Sequence, residues 1–112
     1  MGIRAETKIP GVVLLHVDGD LDLYNAKEFS LVAESIMNSG DLRVLADLSA
    51  LRFIDSSGFS VLLSLNRRLR SAGGSLIVFG LDDNTRILFR RVIAERILPV
   101  YEDEETAMRY LR

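Results

Sequence analysis

The chain has 112 residues, 48% of them hydrophobic and 27% charged, with a formal net charge of -2 and no cysteine. That length holds one core burying roughly 65% of the unfolded surface, and the composition excludes a disordered tail. The missing cysteines exclude disulfides, thiolate metal sites and thiol nucleophiles, and the slight acidity argues against a nucleic-acid binder.

Ile3–Ile9 and Val12–Val17 flank the turn pair Pro10-Gly11 and read as a β-hairpin. A helix follows Asp22, with Ala26, Phe29, Ala33, Ile36 and Met37 on one face. Asp22 or Asn25 is its cap, Glu28 completing a capping box with Asn25, and Ser39-Gly40 ends it. Arg43–Asp47 is a strand of consecutive apolar residues, the pattern of a strand covered on both faces. Residues 48–55 read as a loop. A second helix over Ser56–Ala72 carries a stripe of Phe59, Leu62, Leu65, Leu69 and Ala72, with Arg67, Arg68 and Arg70 turned to water.

Gly73-Gly74 stops that helix before the buried strand Ser75–Phe79. Asn84 is placed to cap a third helix that turns Ile87, Leu88, Val92 and Ile93 inwards. Ile97–Tyr101 is a short strand at a sheet edge, because Pro99 cannot donate to a ladder on both sides. The acidic residues 102–105 open a last helix docked by Ala107, Met108 and Leu111. Strands alternating with helices predict a single layered α/β domain over residues 1–112, with a mixed sheet of four to five strands and four helices.

The start of the chain has no apolar run of a secretory signal, and Glu6 stands where a myristoylation motif needs Ser or Thr. No apolar stretch reaches the ~18 residues of a membrane span, so the expected location is the cytoplasm. The sequence has no internal repeat.

Few residues carry chemistry. Asp18-Gly19-Asp20-Leu21-Asp22 imitates a calcium loop but has Leu23 at the glycine position and Phe29 at the closing glutamate, so no metal site is expected. His16 is the only histidine and sits in an apolar strand, where a hydrogen-bonded structural role fits better than a catalytic base. Ser56 has Ile54 two places before it, not the glycine of a nucleophile elbow. Gly73-Gly74 ends a helix rather than opening one, which rules out a phosphate-cradling loop. The arginines at 67, 68, 70, 86, 90 and 91 are balanced by as many acids and read as solvated helix faces. No self-contained active site emerges, and the chain is not read as an enzyme.

The most informative word is Phe53-Ile54-Asp55-Ser56-Ser57-Gly58. Two apolar residues lead into an acid, two hydroxyls and a glycine, and a helix begins. Asp55 or Ser56 there is an N-cap. The same geometry puts a hydroxyl beside unpaired N–H donors and the positive helix end, where a phosphoryl group is tolerated.

Together with Val44-Leu45-Ala46-Asp47-Leu48-Ser49 upstream and Gly19-Asp20-Leu21-Asp22 near the start, this word resembles the signature of STAS domains, specifically the bacterial anti-sigma factor antagonists. Element order and length agree over essentially the whole chain; Phe59-Ser60 departs from the Leu-Gly usual in that family. The resemblance implies phosphorylation at Ser56 by an anti-sigma factor that is a serine kinase, and restoration by a phosphatase. The unphosphorylated domain would bind that kinase and free the sigma factor, with Asp22, Asp55, Ser57 and Gly58 in the partner-binding surface. It further implies a monomer or weak dimer, no cofactor, and no direct contact with nucleic acid or membrane. Two other readings share the fold: a scaffold subunit of a larger signalling complex, and an accessory subunit of an ABC lipid transporter.

Overall fold

A computed structural model of the chain describes residues 2–111. Strands β1 (Gly2–Ile9) and β2 (Val12–Leu21) are followed by helix α1 (Ala26–Ser39), then β3 (Arg43–Asp47), β4 (Leu51–Ile54) and α2 (Ser56–Ser71). Strand β5 (Ser75–Phe79), α3 (Asp83–Val92), β6 (Val100–Tyr101) and α4 (Glu104–Tyr110) complete the chain. The six strands form one mixed sheet in the order β1-β2-β3-β5-β6, with β4 paired to β2 beyond the end of β3. Only the β1–β2 hairpin is antiparallel. Its Pro10-Gly11 turn places Gly11 at φ +84°, a conformation a side chain disfavours.

Both faces of the central strands are covered. Val13, Leu15, Val44, Ala46, Leu76 and Val78 point to the layer formed by α1, α2 and α3. Val12, Leu14, Leu45, Ile77 and Phe79 point to the opposite side, where Ala107 of α4 closes a smaller cluster. Alternate residues facing two apolar layers are why these strands read as unbroken apolar runs.

Several local expectations are corrected. The segment 48–55 is not all loop: β4 lies within it and makes the sheet six-stranded rather than four- to five-stranded. Asn25 makes no capping bond; its side-chain oxygen accepts from the Asp22 N–H (2.8 Å), and Glu28 reaches across to accept from the Ile3 N–H (3.3 Å). Helix α3 is capped by Asp82, which accepts from the Thr85 N–H, rather than by Asn84. That phase turns Phe89 and Ile93 inwards and leaves Ile87, Leu88 and Val92 exposed. Ala72 lies past the end of α2 and is exposed. The last strand shortens to Val100–Tyr101, paired only to β5, so Pro99 precedes an edge strand as its chemistry requires.

His16 is half-buried, Nδ1 facing Asp47 Oδ2 at 2.9 Å and Nε2 facing Glu6 Oε1 at 3.0 Å. Burial pushes the Asp47 carboxyl up, but hydrogen bonds from the Ser49 hydroxyl (2.6 Å) and N–H (3.0 Å), with the His16 contact, outweigh it and hold Asp47 below its ordinary 3.8. A depressed carboxyl stabilises the fold above its unfolded pKa and loses that contribution as pH falls through the folded value. Melting temperature should therefore drop below about pH 3.8, more steeply than in Asp47→Asn, as thermal melts between pH 2 and 6 would show.

Candidate functional site: the mouth of helix α2

The carboxyl ends of β2 and β4 lie side by side, with Leu21 in register with Ile54. Each is followed by an aspartate, so Asp22 and Asp55 leave neighbouring strand ends together. Asp55 is the N-cap of α2. Its Oδ1 accepts from the Gly58 N–H (3.1 Å) and its Oδ2 from the Leu23 N–H (3.2 Å), while its own N–H donates to the Leu21 carbonyl (3.3 Å). One carboxylate thus holds both the start of α2 and the β2–α1 loop. Asp22 organises that loop, its Oδ1 accepting from the N–H groups of Tyr24 (3.0 Å) and Asn25 (3.3 Å). Asn25 ties it further through its side-chain amide, which donates to the Asp20 carbonyl.

Ser56 is the first residue of α2 and is exposed; Ser57 is half-buried and Gly58 buried. A Cβ on Gly58 would stand 2.2 Å from the Leu21 carbonyl oxygen and 2.7 Å from Ile54 Cγ1. Glycine is therefore a steric requirement that lets α2 start directly against β2. Gly58 is itself buried, two residues on from the exposed Ser56.

The aspartates and hydroxyls are brought together as the sequence predicts. Unforeseen is the apolar surface around them. Leu23 is 68% and Tyr24 92% exposed, and Phe53, paired with Asp20 on β4, is 54% exposed. A groove of about 430 Å3 runs from Ser56 between α2 and α3, lined by Ile54, Phe59, Leu63, Leu88 and Val92. Its floor depends on Phe59, whose ring meets Phe89 edge to face at 4.9 Å. The four-residue spacing from Phe89 to Ile93 was the signal that Leu88 and Val92 belong to the flank of α3.

Asp55→Ala removes the cap and the loop tether at once and should cost about 1–2 kcal/mol in urea unfolding, with the loss of protection concentrated at Gly58 and Leu23 in amide exchange.

Among the described residues, no helix is long and apolar enough to cross a membrane. No group of three or more acidic, histidine or cysteine side chains there is placed to hold a metal ion.

Residues 5–107 match the STAS domain family, and the chain belongs to it. Among its relatives, BtrV of Bordetella bronchiseptica, named provisionally as an anti-sigma factor antagonist, is 29% identical over 100 residues, covering 89% of this chain and 86% of BtrV. The solved anti-sigma factor antagonist from Mycobacterium paratuberculosis superposes with a TM-score of 0.86 at 21% identity, covering 98% of this chain and 92% of that one. The Bacillus cell fate determinant SpoIIAA in its phosphorylated form gives a TM-score of 0.75 at 20% identity, covering 96% and 98%.

Proposed function

We propose that this chain is an anti-sigma factor antagonist that works as a phosphorylation-gated partner switch in the cytoplasm. In the unmodified state it binds an anti-sigma factor serine kinase through Ser56, Ser57, Asp22 and Asp55, and the sigma factor is released. Phosphorylation of Ser56 ends the binding, and a phosphatase restores it. The observation that carries this reading is Ser56 itself: an exposed hydroxyl on the first residue of a helix whose start is clamped by Asp55.

The kinase supplies ATP, metal and base, so this chain has only to present a rigid acceptor. The Ser56 Oγ forms a bond to the γ-phosphorus as the bond to the ADP oxygen breaks, and the hydroxyl proton passes to the kinase's base. The product carries ~-1.5 to -2 charges next to Asp55 and turns a mildly acidic surface strongly negative. The names of the relatives, and the solution of a protein of this fold in phosphorylated form, support the assignment.

Incubation with a cognate anti-sigma kinase and ATP should add the mass of one phosphoryl group, mapped to Ser56 by peptide sequencing and absent in Ser56→Ala. Modification at another residue, or none under conditions where the kinase phosphorylates a control antagonist, would refute the proposal.

A further inference from the structure

Strand β1 is the long edge of the sheet and is paired on one side only, to β2. The Ile3 N–H does not join that ladder; it donates to Glu28 Oε2 of α1 (3.3 Å). Antiparallel bonding alternates from residue to residue, so Ile3, Ala5 and Thr7 turn their N–H and C=O groups away from β2. Ala5 and Thr7 are exposed, and among the described residues nothing bonds these outward groups of theirs. An unpaired row of this kind is a template for another strand. Side chains alternate too. Ile3 faces the main core, so Arg4 and Glu6 stand in one row on the opposite face, with Lys8 beyond them paired to Glu104 of α4. Arg4 is exposed and in no ion pair among the described residues, and Glu6 meets His16 through Oε1 alone.

We infer that a second copy of this chain adds to this edge, the two β1 strands running antiparallel about a two-fold axis at Ala5. Opposed side chains must share a face of the sheet, so the axis falls on a residue, and charge selects which one. Crossing at Ala5 sets Arg4 opposite Glu6 of the second copy and Glu6 opposite its Arg4, two ion pairs from one symmetry operation. Crossing at Arg4 sets Arg4 against Arg4, and crossing at Glu6 sets Glu6 against Glu6 and Arg4 against Lys8. Crossing at Thr7 runs the ladder into the register shift between Thr7 and Ile9. At the Ala5 crossing the outward backbone groups of the two Ala5 residues meet, and those of Ile3 meet those of Thr7. Glu28 holds the Ile3 N–H until the Thr7 carbonyl of the second copy replaces it, which keeps the association weak. A single strand pair also falls short of a standard interface, so the dimer belongs to high concentration. The inference is independent of the role of Ser56.

The full chain is followed by sedimentation equilibrium from about 10 μM to about 1 mM at low ionic strength, where ion pairs are least screened. A monomer–dimer equilibrium is expected, with concentration-dependent amide shifts confined to residues 2–8 and Glu28. Ala5→Pro removes an N–H that the β1–β2 ladder does not use, so it should melt as wild type while weakening the dimer at least tenfold. Arg4→Glu and Glu6→Arg, both at exposed positions, each set like charges against one another and should weaken their own dimers at least tenfold. Mixed together, these two variants have opposite charges at both crossings, and the heterodimer should return to within a few-fold of wild type. A chain that stays monomeric at the highest concentration would overturn the inference. So would a dimer unmoved by Ala5→Pro or Arg4→Glu, a mixture that does not recover, or amide shifts that map to α2 and α3. Ser56 is untouched in every variant, so phosphorylation and its effect on kinase binding remain measurable, and failure of the dimer leaves the switch standing.

Discussion

Ser56→Asp is expected to lower affinity for the anti-sigma kinase by two to three orders of magnitude, while Ser56→Ala binds constitutively. A nearly uncharged hydroxyl can be covered by a partner with little loss, since it keeps a hydrogen bond at the interface. A carboxylate there must be desolvated beside Asp55, which already uses both oxygens on Gly58 and Leu23 and cannot move away. A penalty of ~3–4 kcal/mol for an unpaired buried charge corresponds to that loss of affinity. The fold should be unaffected, because Ser56 is exposed and the cap belongs to Asp55. Calorimetric titration of the kinase with both variants, alongside their melting curves, separates loss of binding from loss of structure.

The second large effect is expected at Gly58. Gly58→Ala places a methyl group inside the Leu21 carbonyl and against Ile54, neither of which is the free end of a flexible chain. Relief requires α2 to move off β2, which opens the contact that holds Asp22 and Asp55 together. Overpacking of this kind costs about 3 kcal/mol, lowering the melting temperature of a domain this size by roughly 10–20 °C. Binding should fall as well, since the displaced helix start carries Ser56 with it. Ser57→Ala, one residue away and half-buried, gives the comparison for a change of similar size that needs no displacement.

The difference between these two positions shows what could be seen in the residues alone. Ser56 and Asp55 were legible because a helix start has local chemistry: an acid and hydroxyls just before an apolar periodic run. The reason for Gly58 was not, because the atom it avoids belongs to Leu21, whose approach is set by the β2–β4 register. The central strands were legible from their apolar runs, covered on both sides. Strand β4 was missed because it is four residues long, pairs on one side only with the end of β2, and exposes Arg52 and Phe53.

Helix α3 shows the opposite failure. Its existence was plain, but Ile87, Leu88, Val92 and Ile93 span too wide an arc for one buried face. Hydrophobicity alone does not say that Phe89 takes the centre by packing on Phe59. Two of the misread residues, Leu88 and Val92, form one wall of the groove. The Phe59 ring makes the α2–α3 contact.

The most direct test of the switch uses one preparation in two states. The purified chain is phosphorylated stoichiometrically on Ser56, half of it is returned to the unmodified form with a serine phosphatase, and both are titrated against the same anti-sigma kinase. The account predicts tight binding by the dephosphorylated half and at least a hundredfold weaker binding by the phosphorylated half. Equal affinity of the two states would contradict it.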